Sequence, residues 1–121
     1  MDPRHELGQY GEAFAENWLT ARGLRIMDRH YQTRYGEIDL IARDKDAWIF
    51  IEVKTREKFS NPAARDAITP AKQRRLAVAT MAYIRRHRLH DCDFRFDVVL
   101  IESGQVEWIP NAFTVPEHWT V

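Results

Sequence analysis

A small mixed α/β domain is expected from this chain on three counts. The 121 residues are 45% hydrophobic with only five Gly and five Pro, which supplies apolar side chains for one core and too little punctuation for disorder. Two segments carry helical spacing and five read as strands, in the order α-β-β-β-α-β-β. The second helix lies between two strand-like runs and is long enough to cross over and join them in parallel. A second core normally needs about twice this length, so residues 1–121 are expected to form one domain.

The first helix is expected from about Glu6 to Arg22, where Leu7, Tyr10, Phe14, Trp18 and Ala21 recur every three or four residues as one apolar stripe. Gly23 follows, where a left-handed cap costs glycine nothing. The first strand runs from Leu24 toward Tyr31. In the second, Gly36 to Arg43, residues Ile38, Leu40 and Ala42 alternate with Glu37, Asp39 and Ile41. Asp44-Lys45-Asp46 makes a polar turn into Trp48–Thr55, whose Ile49, Ile51 and Val53 read as core. A loop with Asn61-Pro62 leads to Thr69-Pro70, an N-cap followed by a proline at the first helical position. The second helix is expected from Pro70 to about His87, with Leu76, Ala77, Thr80, Met81 and Ile84 inward. Phe94–Glu102 and Gln105–Ile109 are the last strands, joined by Ser103-Gly104.

Composition narrows the function classes. Cys92 is the sole cysteine, so neither an intramolecular disulfide nor a cysteine zinc cluster can form. No apolar stretch approaches the ~20 residues of a membrane span. The polar start Met1-Asp2-Pro3-Arg4-His5-Glu6 lacks a signal-peptide core, and a soluble cytoplasmic protein with no membrane partner is expected. The zero net charge is unevenly spread. Residues 65–90 carry seven Lys and Arg against Asp66 alone, whereas residues 91–121 carry Arg95 against six acids. This segregation suits a basic face for a polyanion, and equally a solvated helix surface. The five histidines show no zinc-ligand spacing, and no glycine-rich phosphate loop is present.

The carboxylates carry the sharpest signal. Asp39 sits inside a strand of Ile and Leu. Glu52 and Lys54 are two apart in the next strand and therefore share a face. Two acids on neighbouring strands are what Mg²⁺ takes, because this hard ion binds oxygen and keeps several waters. A lysine beside them can orient or deprotonate a water, which suits phosphodiester hydrolysis. The same spacing also arises as a solvent-facing Glu–Lys pair. Glu12 and Glu16 on the first helix and Glu37 beside Asp39 could join the set or be ordinary surface acids. Lys72, Gln73, Arg74 and Arg75 open the second helix, and Arg56 and Lys58 follow Lys54, so loop and helix start are expected to track a nucleic-acid backbone. Trp48 shares the parity of Glu52, either to stack on a base or to cover the sheet edge.

Gly36-Glu37-Ile38-Asp39-Leu40-Ile41, Phe50-Ile51-Glu52-Val53-Lys54-Thr55-Arg56 and Lys72-Gln73-Arg74-Arg75-Leu76 closely resemble the YraN-like family of uncharacterised bacterial proteins, counted among the restriction-endonuclease-like, or PD-(D/E)XK, folds. The resemblance extends from Gly11-Glu12 to Phe96-Asp97-Val98 and implies an α-β-β-β-α-β core similar to that of archaeal Holliday-junction resolvases. It further implies Asp39 and Glu52 as ligands of Mg²⁺ or Mn²⁺, Lys54 serving the nucleophilic water, and Glu12 and the Val53 carbonyl as further ligands. Two departures stand out: Ile38 replaces the proline of the motif, and Gln73 is followed four residues on by Ala77 rather than Tyr. The activity expected is a metal-dependent nuclease on DNA, branched or structured DNA included. Cutting a junction twice would ask for a homodimer. The competing readings are a non-catalytic nucleic-acid-binding or DNA-processing accessory protein on the same fold, and a structural subunit.

Overall fold

The computed structural model describes residues 3–56 and 68–115. Helix α1 spans Pro3–Ala21 and helix α2 Pro70–Arg86; the strands are β1 (Arg25–Gln32), β2 (Glu37–Asp44), β3 (Ala47–Arg56), β4 (Phe94–Glu102) and β5 (Gln105–Phe113). They form one sheet in the order β1-β2-β3-β4-β5. Only β3 and β4 pair in parallel, and α2 provides the crossover between them. This is the mixed sheet flanked by helices that the restriction-endonuclease-like resemblance implies.

Both faces of the central strands are covered. Ile49 and Ile51 of β3 pack with Leu40 and Ala42 under Ala15 and Leu19 of α1. Trp48 and Phe50, of opposite parity, pack with Ile41 under Leu76, Ala77 and Tyr83 of α2. A strand buried on both sides reads as a continuous apolar run, and Phe50 is 0% exposed. Trp48 is therefore neither a base-stacking group nor an edge cover: it lies in the core, its ring 5.9 Å from that of Tyr83.

Thr69 caps α2 as expected, its Oγ1 accepting from Lys72 N at 3.2 Å with Pro70 next in the chain. Gly23 takes φ 97° after α1, and Lys45 takes φ 56° in the tight turn between Asp44 and Ala47. Two elements differ from expectation. The buried centre of α1 is Gly11, Ala15 and Leu19, with Phe14 and Trp18 on its flank and Tyr10 62% exposed. Small residues let the helix axis approach the sheet, so the contact line follows them rather than the large rings. Strand β5 also runs through Pro110 to Phe113 instead of ending at Ile109. An edge strand can leave the missing proline N–H on its open side. The ladder shifts register between Phe96 and Val98, and there the Asp97 carboxylate accepts from Asn111 N at 2.8 Å. Neither α1 nor α2 is long and apolar enough to cross a membrane.

Candidate functional site

The β2–β3 ladder pairs Asp44 with Ala47 and continues to Leu40 with Ile51, where its paired residues end although both strands run on. Asp39 and Glu52 are the next residue on each strand. At this opening the Asp39 Oδ2 accepts the Val53 N–H at 2.8 Å, so a side chain takes the donor that a backbone carbonyl would otherwise meet. The period of two puts Glu52 on the face of Trp48 and Phe50, toward α2. Asp39 and Glu52 lie within a side-chain hydrogen bond of one another.

Burial governs their protonation. Loss of hydration pushes the Glu52 carboxyl up to about 8, with the Asp39 charge adding to it and Lys72 and then Lys54 opposing it. Asp39 is also raised, first by burial, while the Val53 N–H pulls the other way. Two carboxylates so placed hold a proton between them near neutral pH.

Glu12 reaches the pair from α1. Gly11 makes this approach possible, because a Cβ there would overlap Thr55 Oγ1 on β3. Burial, then Asp39, push Glu12 up to about 7. Its Oε2 is buried without an aligned hydrogen bond, although His30 Nε2 stands 2.6 Å away. His30 adopts φ 49°, in the left-handed region that histidine tolerates better than most residues. Its Nδ1 lies 3.4 Å from Glu37 Oε1. Glu16, one turn further along α1, is instead ion-paired to Arg29.

A cavity of about 370 Å³ opens beside the pair, lined by Glu37, Asp39, Glu52, Lys72 and Arg75 among others. A second of about 390 Å³ lies elsewhere on the molecule, between Ile68, Gln73, Val98, Trp108 and Phe113, and no carboxylate lines it among the described residues. The structure thus brings together Glu12, Asp39 and Glu52, with Lys54 acting on Glu52 and Lys72 acting on it more strongly. Lys72 and Arg75 line the acid cavity, and Arg74 is exposed. Gln73 is apart from them, its Nε2 donating to Ile68 O at 3.0 Å in the other cavity. Lys58, the side chain of Arg56 and the Asn61-Pro62 loop lie outside the described residues. Among the described residues, no three His, Cys, Asp or Glu side chains are spaced to hold a common ion.

The sequence does not mark His30, which the structure sets against Glu12, or Thr33, which lines the acid cavity. His30 was one of five histidines without a ligand pattern, and nothing local marked its left-handed backbone. The turn before β2 had a signal in Thr33 and Gly36, an ST-type turn ending on glycine.

A family model described as Uncharacterised protein family UPF0102 matches residues 11–101. The chain is similar to the UPF0102 protein of Shewanella woodyi, 42% identical over 117 residues and covering 93% of this chain and 99% of that one. It is likewise similar to the UPF0102 proteins of Alkalilimnicola ehrlichii, 43% identical over 94% and 91% of the two chains, and Rhodococcus opacus, 40% identical over 88% and 95%. The span from the Gly11-Glu12 turn of α1 through β4 is the span on which the sequence resemblance rests, and this chain belongs to the UPF0102 family.

Proposed function

We propose that this chain is a Mg²⁺- or Mn²⁺-dependent nuclease that hydrolyses phosphodiesters in DNA. The observation that carries the reading is the half-buried Asp39–Glu52 pair at the end of the β2–β3 ladder, in a cavity also lined by Lys72 and Arg75. The donor set fits the ion: all are hard oxygens, loss of hydration raises both acids of the pair, and Glu12 Oε2 is buried with no aligned hydrogen bond although His30 Nε2 stands 2.6 Å away. Two carboxylates suffice for Mg²⁺, which keeps waters in its remaining positions.

Asp39 and Glu52 would hold the ion, with the Val53 carbonyl as an additional donor and Glu12 beside them but not spaced as a third ligand. When bound, it supplies charge stabilisation at the phosphate and makes a water more acidic. Lys54, on the face of Glu52, orients the attacking water and helps remove its proton. Lys72 and Arg75 hold phosphate oxygens at the cavity mouth, and Arg56, Lys58 and Arg74 extend the contact along the backbone, whereas Gln73, turned to the Ile68 carbonyl, takes no part in it. Water attacks phosphorus, the P–O bond to the leaving nucleotide breaks, and the leaving oxygen takes a proton from solvent. Branched DNA is the structured substrate, and paired cuts would come from a homodimer.

The test is purified protein with Mg²⁺ or Mn²⁺ on linear duplex, single-stranded and four-way DNA. Wild type is expected to cleave, and Asp39→Ala and Glu52→Ala to lose at least about 10³-fold, the scale of losing a principal charge-stabilising group. Cleavage that survives both substitutions sinks the reading. The missing third ligand among the described residues favours one competitor, a nucleic-acid-binding protein without turnover. That reading expects salt-sensitive binding weakened by Arg74→Ala and Arg75→Ala and unaltered by Asp39→Ala.

A further inference from the structure

Three large hydrophobic side chains are exposed among the described residues: Tyr10, Tyr35 and Phe94. The Tyr10 ring leans on Phe14 at 6.1 Å, and Phe94 packs on Phe50 and Phe96. Tyr35 differs. It is 63% exposed and meets no other described aromatic ring, and the Arg34 guanidinium lies 5.9 Å from its centre.

A ring this exposed adds little to folding, yet its backbone is tightly held. Thr33 Oγ1 accepts from Tyr35 N at 3.1 Å and from Gly36 N at 3.0 Å, and it donates to Gly36 O at 3.1 Å. Thr33 N also donates to Gly36 O at 2.8 Å. The turn is pinned to α2 as well: a Cβ on Gly36 would overlap the Arg75 carbonyl oxygen. Thr33, Gly36, Lys72 and Arg75 all line the cavity that contains Asp39 and Glu52. An exposed ring on a held backbone therefore stands between two residues, Thr33 and Gly36, that line a pocket whose cations suit phosphate. Single-stranded nucleic acids are held by this combination, a cationic track for the backbone and an aromatic face for the bases. In a duplex the same base faces are already stacked on their neighbours.

We propose that Tyr35 is a stacking platform for an unpaired base of a single-stranded DNA segment whose backbone passes Lys72 and Arg75 into the carboxylate cavity. This deepens the nuclease reading and rests on it for the identity of the cavity. It narrows the substrate to DNA with at least one unpaired nucleotide beside the phosphate that is cut: a single strand, a flap or the open centre of a branch. Arg34, next to the ring, adds charge on the outer side of the track.

Equilibrium binding of the full chain in EDTA at low salt tests this without turnover. The probes are a single-stranded oligonucleotide carrying one fluorescent purine analogue and the same strand in a complete duplex. The single strand is expected to bind more tightly and its analogue to be quenched. Tyr35→Ala should weaken single-strand binding about tenfold, within the range of one lost base stack, remove the quenching and leave duplex binding within about twofold. Tyr35→Phe should keep both affinity and quenching. The platform is overturned if Tyr35→Ala leaves single-strand affinity and quenching unchanged, if it weakens both probes equally, or if neither probe binds wild type. Failure of hydrolysis is a separate result: a chain that binds in this Tyr35-dependent way but never cleaves with Mg²⁺ or Mn²⁺ refutes the nuclease and retains the platform.

Discussion

One buried carboxylate and one half-buried pair of them occupy the same sheet and are built in opposite ways. Between β4 and β5, Asp97 is 0% exposed and fully answered. It accepts from Arg95 Nε at 3.0 Å and Nη2 at 3.3 Å, from Trp108 Nε1 at 2.8 Å and from Asn111 N at 2.8 Å. Between β2 and β3, Asp39 receives the Val53 N–H, and the side chains within hydrogen-bond reach of it include two further acids, Glu52 and Glu12. A buried charge matched by donors holds structure together, whereas two largely desolvated acids facing each other work against it. The first arrangement stitches an irregular edge strand to the sheet. The second keeps an anionic pocket open at the cost of stability, as binding sites for cations do.

The largest expected effect comes from breaking the satisfied site. Asp97→Ala leaves the Arg95 guanidinium, the indole N–H and the Asn111 N–H without their acceptor, and removing one partner of a buried pair costs about 3–5 kcal/mol. Urea unfolding should show that loss in the midpoint. A loss below about 1 kcal/mol would mean that β5 does not depend on Asp97.

The opposing site should respond with the opposite sign. Glu52 is raised from 4.5 to about 8, so its folded form holds the proton more tightly than the unfolded chain does. Its contribution is fully present below pH 4.5 and is lost as pH rises through about 8. Glu52→Gln removes the ionisation and should stabilise the protein at pH 9 by on the order of 2 kcal/mol, with little change at pH 4. Thermal unfolding across this range reads the difference. Mg²⁺ should raise the melting temperature of wild type at pH 9 and do much less for Glu52→Gln. A variant that is less stable than wild type at pH 9 would show that the pair is not under repulsion.

The unsatisfied site was more legible in the sequence than the satisfied one. Strand parity alone places Glu52 and Lys54 on one face, and the turn at Asp44–Asp46 brings Asp39 and Glu52 to the residues just beyond the last pair, Leu40 and Ile51. Asp97 looked like any acid in an apolar strand, because its partners come from positions two, eleven and fourteen residues away and meet it only across a register shift. The helix α1 contact was misjudged for a related reason. Hydrophobic spacing weights large rings, but the helix docks through Gly11, Ala15 and Leu19, where close approach matters more than ring area. That rotation is why Glu12 lies nearer the sheet than its place beside the apolar stripe suggests.

Glu12 and Glu16 carry the same comparison into a single helix and give the smallest expected effect. They are one turn apart, yet burial raises Glu12 to about 7 while the Arg29 guanidinium holds Glu16 below the usual carboxylate range. The signs are therefore opposite. Glu16 contributes stability above its unfolded value of 4.5, and that contribution is lost as pH falls below it. Glu12 contributes below 4.5, and its contribution is lost as pH rises through about 7. Arg29 is exposed and solvent screens the pair, so Glu16→Gln should cost no more than about 0.5 kcal/mol at pH 8 and nothing near pH 3. Glu12→Gln should stabilise at pH 8 and be silent near pH 4, with its gain shrinking when Glu52→Gln is already present, because Asp39 links the two acids and removal of one charge lowers the repulsion felt by the other. Additive gains would show that Glu12 is a separate surface acid and not part of the pocket.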